Sequence, residues 1–178
     1  MTHEIIIAGF GGQGILSSGR LIAHAGMLDN KHVSWLPSYG PEMRGGTANC
    51  HVVVSDIPVG SPILNSANAL IVMNGPSLDK FERVVVPDGV IIADGSLVQR
   101  KVKRQDVVFY NIPATQIASE MGNLTYAGII LLGKLVAATK AVTVNSFEKA
   151  LYEVLPEKYH KLIPQEMEAF MRGYNYQV

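Results

Sequence analysis

The residues whose types and spacing could do chemistry in this chain are glycines grouped with one arginine. One segment reads Gly9-Phe10-Gly11-Gly12-Gln13-Gly14; about thirty residues later comes Ser38-Tyr39-Gly40-Pro41-Glu42-Met43-Arg44-Gly45-Gly46-Thr47. The first follows the apolar run Ile5-Ile6-Ile7-Ala8 and opens a helix-like stretch from Ile15 to Met27. A glycine loop between a strand and a helix leaves bare backbone amides facing outward, where the helix N-terminus favours an anion. In the second segment Arg44 stands among small residues, and a guanidinium holds phosphate or carboxylate with two parallel hydrogen bonds. The pair describes an anion-binding crevice with Gly11, Gly12, Gln13, Gly14, Tyr39, Arg44, Gly45, Gly46 and Thr47 as candidate binding residues. A purely structural reading stays open: the glycines permit a tight turn, and the second segment is a loop capped by an arginine ion pair.

No set of acid, base and nucleophile stands beside this crevice. His3, His24, His32, His51 and His160 lack the close spacing of metal ligands, and Cys50-His51 has no second pair. Ser17 and Ser18 follow no nucleophile-elbow pattern. The lone Cys50 reads as a small buried apolar residue. Asp94, at the end of an apolar run, can orient a ligand or cap a turn, and capping is the simpler role.

The elements that must position the glycines alternate in type. Strands are expected over Ile5–Ala8, His32–Leu36, Thr47–Ser55, Ala69–Met73, Val90–Ala93 and Val107–Ile112, with a turn at Pro87-Asp88-Gly89. Helices are expected from Ile15 to Leu28, Leu78 to Phe81, Pro113 to Met121, Tyr126 to Lys140, Ser146 to Leu155 and Gln165 to Arg172. Gly122 reads as a C-cap, and Asn145 or Ser146 as an N-cap. The order predicts one α/β, Rossmann-like domain over 1–178: a mostly parallel sheet flanked by helices, with a helical C-terminal end. Ligands of such sheets bind at the carboxyl ends of the strands, where both glycine segments fall.

Composition narrows the function classes. Lys+Arg and Asp+Glu both number 15, so the electrostatic drive for nucleic-acid binding is missing. One cysteine can neither form a disulfide within the chain nor hold an iron–sulfur cluster alone. The N-terminus has no signal-peptide pattern and the longest apolar stretch is too short to span a bilayer, so a cytoplasmic protein is expected, with no membrane partner. Charged residues are only 17% against 48% hydrophobic, which points to a subunit interface or self-association of the isolated chain. The helix from Tyr126 is apolar nearly all round; both its faces should be covered, the outer one by a partner.

Gly9-x-Gly11-x-x-Gly14 satisfies the dinucleotide fingerprint in form. The acid that holds ribose hydroxyls at the end of the second strand is missing, because Ser34-Trp35-Leu36-Pro37 stands there. A self-sufficient nucleotide-binding oxidoreductase is therefore the weaker reading, and phosphate binding without a dinucleotide the stronger.

The two glycine segments resemble the gamma subunit of 2-oxoacid:ferredoxin oxidoreductases. The likeness continues through Ser55-Asp56, Ser61-Pro62, Ala118-Ser119-Glu120-Met121-Gly122-Asn123, Leu132-Gly133 and Gly173-Tyr174. Phe10 before the glycines and Tyr39-Gly40-Pro41-Glu42-Met43-Arg44-Gly45 are similar to the 2-oxoglutarate type, a form shared with branched-chain 2-oxoacid enzymes. One departure is Gly128, where the family often carries an asparagine. The resemblance implies oxidative decarboxylation of a 2-oxoacid to its acyl-CoA, with electrons passed to ferredoxin. It implies alpha, beta and delta-type partner subunits that carry thiamine diphosphate and iron–sulfur clusters, and no cofactor held by this chain alone. This chain would contribute to a shared coenzyme A site, through amides of Gly11, Gly12 and Gly14 and side chains of Gln13 and Arg44. A non-catalytic scaffold subunit of the same complex is the alternative.

Overall fold

A computed structural model describes residues 1–38 and 47–177. Six strands form one sheet in the order β2-β3-β1-β4-β5-β6, with β1 Thr2–Phe10, β2 His32–Ser38, β3 Thr47–Ser55, β4 Ala67–Val72, β5 Val85–Asp94 and β6 Val108–Ile112. The β-branched runs place β1, β4 and β5 at the centre, where Ile5, Ile6, Ile7, Ala69, Leu70, Ile71, Ile91 and Ile92 are fully buried. Both faces are covered there, so no polar alternation survives in these strands. β1, β4, β5 and β6 run parallel, and β3 alone is antiparallel to its neighbours β1 and β2. The sheet is thus mostly parallel, as the alternating order predicts. Tyr39, Arg44, Gly45 and Gly46 of the second glycine segment lie outside the described residues.

The helices are α1 Ile15–Leu28, α2 Gly75–Phe81, α3 Ala114–Glu120, α4 Tyr126–Thr139, α5 Val144–Val154 and α6 Ile163–Tyr174. One face of the sheet, through Ile5, Ile7, Cys50, Val52, Ile71 and Ile92, shares a core with α1, α3, α4, α5 and α6. The other face, through Ile6, Ala8, Leu70, Val72 and Ile91, is covered by α2 and the segment around Val98–Val107. Helices therefore flank both faces, but very unequally.

Three expectations change. Pro87-Asp88-Gly89 does turn, with Asp88 at φ 62°, yet β5 runs through it as an irregularity: Ala67 pairs with Val85 and Ala69 with Val90. The N-cap of α5 is Thr143, whose hydroxyl accepts from the Ser146 amide at 3.1 Å. Finally, α4 is covered by its own chain and not by a partner, with every residue from Tyr126 to Val136 buried. The cover is α6, which approaches so closely that a Cβ on Gly133 would lie 1.9 Å from the Phe170 carbonyl oxygen. A Cβ on Gly173 would lie 1.7 Å from that of Ile130, so neither position admits a side chain. No helix among the described residues is long and apolar enough to cross a membrane.

Candidate functional site

β1 ends at Phe10 and the chain turns at once: the Gln13 amide donates to the Phe10 carbonyl at 3.3 Å, with Gly12 at φ 88° as third residue of the turn. That φ is close to what a type II turn requires there, and glycine adopts it without a Cβ penalty. Gly14 follows at φ 74° as the N-cap of α1. Lacking a side chain, it caps nothing. The Ser18 amide bonds to the Gly14 carbonyl, but among the described residues the amides of Ile15, Leu16 and Ser17 have no partner. These are the orphan donors of a helix N-terminus, carrying its partial positive charge.

The Gln13 side chain builds this loop. Its Oε1 accepts from the Phe10 amide at 2.6 Å and its Nε2 donates to the Met73 carbonyl at 3.2 Å. It ties the turn to the carboxyl ends of β1 and β4 in one stroke. One of its donors is thus already engaged, and its first role is to fix the backbone. Gly11, Gly12 and Gly14 are exposed. Thr47 opens β3 directly opposite Phe10, so β3 starts beside the first loop.

Clefts surround the loop. One of about 360 Å³ is lined by Gly12, Gln13, Gly14, Met73, Thr115 and Thr125, with Leu97, Leu124 and Ala127 as apolar wall. Another of about 310 Å³ runs from Phe10 and Gly11 across the start of α1 to Ala48. The wall residues Met73 and Thr115 were not singled out in the sequence, although each stands at or just past the end of a parallel strand, which is the available signal. Leu97, Leu124 and Thr125 sit in connections that carry no motif.

Asp94 caps. Fully buried, it accepts from the Ser96 amide at 3.0 Å, the Thr115 amide at 3.2 Å and the Thr115 hydroxyl at 2.5 Å. It joins the end of β5 to the start of α3 and has no reach into the clefts beyond Thr115. Cys50 is fully buried, its thiol pushed up to about 12 by burial, which leaves it inert. His51 accepts from the Leu64 amide through Nδ1 at 3.0 Å, and burial lowers its pKa. Among the described residues no three His, Cys, Asp or Glu side chains gather to hold a metal ion. The arrangement can bind an anion and orient what is attached to it, and among the described residues it offers no proton-transfer pair.

A family profile described as pyruvate ferredoxin/flavodoxin oxidoreductase matches residues 4–176. The chain is 37% identical over 177 residues to the 2-oxoglutarate synthase subunit KorC of Methanocaldococcus jannaschii, covering 98% of this chain and 93% of that one. It is 41% identical over 134 residues to the ketoisovalerate oxidoreductase subunit VorA of Methanothermobacter marburgensis, covering 75% of this chain and 28% of that longer one. The crystal structure of a keto/oxoacid ferredoxin oxidoreductase gamma subunit from Geobacter sulfurreducens superposes with a TM-score of 0.82 at 29% identity, over 97% and 96% of the two chains. A 2-oxoglutarate:ferredoxin oxidoreductase from Magnetococcus marinus, solved with 2-oxoglutarate, coenzyme A and succinyl-CoA bound, shares the fold at a TM-score of 0.86 and 24% identity, over 97% of this chain and 30% of that one. With the family profile spanning nearly its whole length, this chain belongs to the pyruvate ferredoxin/flavodoxin oxidoreductase family.

Proposed function

We propose that this chain is the gamma-type subunit of a 2-oxoacid:ferredoxin oxidoreductase, most like the 2-oxoglutarate type, and that its glycine loop binds phosphate of coenzyme A. The complex converts a 2-oxoacid and coenzyme A to acyl-CoA and carbon dioxide, passing two electrons to ferredoxin. Alpha, beta and delta-type partners would carry the thiamine diphosphate and iron–sulfur clusters, which supply the decarboxylation and electron-transfer chemistry. The carrying observation is the trio of unpartnered amides at Ile15, Leu16 and Ser17, presented by positive-φ glycines. A phosphate at a helix N-terminus supplies such outward-facing donors with partner and charge together.

This chain's own residues then bind and orient. The loop amides hold phosphate, Gln13 keeps the turn rigid against β1 and β4, and the apolar wall of Leu97, Leu124 and Ala127 shields the ligand from water. The gain is in positioning the thiol, not in moving protons. Arg44, outside the described residues, is assigned the second hold on phosphate. In the assembled complex Arg44→Ala should raise the KM for coenzyme A between roughly tenfold and a hundredfold, as loss of a charge-assisted hydrogen bond does. Arg44→Lys should recover only part, since a point charge makes no bidentate contact. The KM for 2-oxoacid should stay put. Equal loss of every step, or loss of co-purifying subunits, would instead mean that Arg44 serves assembly.

A further inference from the structure

The sheet face that turns Ile6 and Leu70 toward α2 also carries Glu4 of β1 and, paired with it, Val53 of β3. α2 packs on β1 and β4. What crosses β3 on this face is a connection without helix, residues 56–66, whose Leu64 amide donates to His51 Nδ1 at 3.0 Å. That connection is held in place. The Ile57 amide donates to the Ser55 hydroxyl at 3.1 Å, the Ile63 amide to the Ser61 hydroxyl at 3.1 Å, and Asp56 pairs with Lys31. Pro58 and Pro62 restrict it further. Yet it turns Ile57 and Ile63 outward, 65% and 60% exposed. Scattered surface isoleucines are ordinary. These two line a single cleft, of about 370 Å³, at the amino end of β1.

Glu4 stands in that cleft. It is half-buried, and among the described residues nothing donates to its carboxylate or pairs with it. Of the other half-buried and buried carboxylates only Glu166, in a separate cleft between α1, α4 and α6, shares this condition. Glu82 takes Arg100 at 2.7 Å, Asp94 takes Thr115, and Asp29 takes the hydroxyls of Thr143 and Ser146. The hydroxyls around Glu4 are engaged elsewhere: Thr2 and Ser55 bond each other at 2.7 Å, and Ser61 serves Ile63. A lone carboxylate between apolar walls is complementary to a cation on an aliphatic stem, the chemistry of arginine and lysine.

Charge also says which chain brings that cation. A second copy docked by two-fold symmetry sets Glu4 against Glu4, a like-charge contact that costs affinity. A different chain is needed. We propose that this face docks a partner subunit of the oxidoreductase, whose arginine or lysine enters the cleft to pair with Glu4 while Ile57 and Ile63 pack against the surrounding apolar surface. This rests on the reading of the chain as a gamma-type subunit. From Glu4 to Phe10, β1 runs about 20 Å, so a partner seated here leaves the glycine loop free.

The test uses the assembled complex and the isolated full chain. Carbodiimide-driven carboxyl labelling should reach Glu4 in the isolated chain and not in the complex. Glu4→Gln should raise the dissociation constant of this chain from the remaining subunits between about tenfold and a hundredfold, the loss of one charge-assisted hydrogen bond. It should also flatten the dependence of assembly on salt. Ile57→Ser combined with Ile63→Ser should weaken assembly about tenfold or more and keep the salt dependence. As isolated chains these variants should melt like the wild type, and in complexes that stay assembled the KM for coenzyme A should be unchanged. Equal labelling of Glu4 in the complex and the isolated chain overturns the proposal, because the cleft is then open to water. So does a Glu4→Gln complex as tight and as salt-sensitive as the wild type. Shielding of Glu4 by dimerisation of the chain alone overturns it in favour of a second copy. A wild-type chain that joins no subunits of a 2-oxoacid:ferredoxin oxidoreductase overturns the gamma-subunit reading as well.

Discussion

The crossing of α4 and α6 and the entrance to α1 are built from the same residue type to opposite ends. At the crossing, Gly133 and Gly173 let two backbones meet, Phe147 stacks on Phe170 with ring centroids 4.2 Å apart, and the space is filled. At the entrance, Gly12 and Gly14 have nothing within 4 Å of where a Cβ would stand, and amides point outward unpaired. The same contrast holds for charge. Lys134 of α4 is buried, yet its ammonium donates to the Tyr176 carbonyl at 2.7 Å and lies 4.5 Å over the Tyr110 ring. Glu166 of α6 has no such company. A fold spends glycine either to close a contact or to hold one open, and what lies around the glycine tells which.

Gly173→Ala should break the closed region. The methyl would have to stand 1.7 Å from the Ile130 carbonyl oxygen, so α4 and α6 must move apart. Alanine favours helix by about 1 kcal/mol over glycine, but overpacking a tight contact costs about 1–3 kcal/mol and more when backbone is struck. The steric effect wins. Urea denaturation should show a loss at or above about 3 kcal/mol; a variant as stable as the wild type would mean that α4 and α6 part without cost.

How far this contrast is legible in the sequence depends on distance along the chain. β-branched runs mark the central strands because they are buried on both faces, and Ile5–Ala8 and Ala69–Met73 find the middle of β1 and most of β4 without their ends. The glycine loop is legible because strand, turn and helix adjoin. The antiparallel course of β3 is not, since alternation along Thr47–Ser55 says only that its faces differ. The all-apolar α4 correctly demands cover on every side, yet nothing local says that α6 supplies it. Gly133 reads as a glycine inside the apolar helix and Gly173 as the stop of the last one, and nothing local says that each lies against the backbone of the other helix. Glu166 is a parallel case: nothing local marks it, and only the packing of α6 against α1 and α4 sets it in a cleft.

The matched Lys134 and the unmatched Glu166 give variants that differ in sign. Lys134→Met keeps much of the side-chain volume but forfeits the Tyr176 carbonyl and the Tyr110 face, and should destabilise by about 1 kcal/mol. Glu166→Leu removes a half-buried carboxylate that the chain does not match, and should leave stability unchanged or raise it by about 1 kcal/mol. Thermal melts of the purified chain compare them directly. If Glu166→Leu destabilises as Lys134→Met does, the carboxylate has an internal partner and the contrast between the regions is lost.

The smallest effect, below about 1 kcal/mol, sharpens the same point through pH. Burial raises the Glu166 carboxyl above its ordinary value of 4.5 in the folded chain, while the unfolded chain keeps that value. Between the two values the folded state holds more protons than the unfolded, so stability falls as pH rises through this window. The contribution is fully present below about 4.5, where Glu166 is protonated in both states, and is gone once pH passes the folded value. Glu166→Gln cannot titrate and lacks this dependence. Measured against the wild type in urea at acid and neutral pH, the variant should gain relative stability on moving to neutral. A stability difference independent of pH would show that Glu166 is solvated after all.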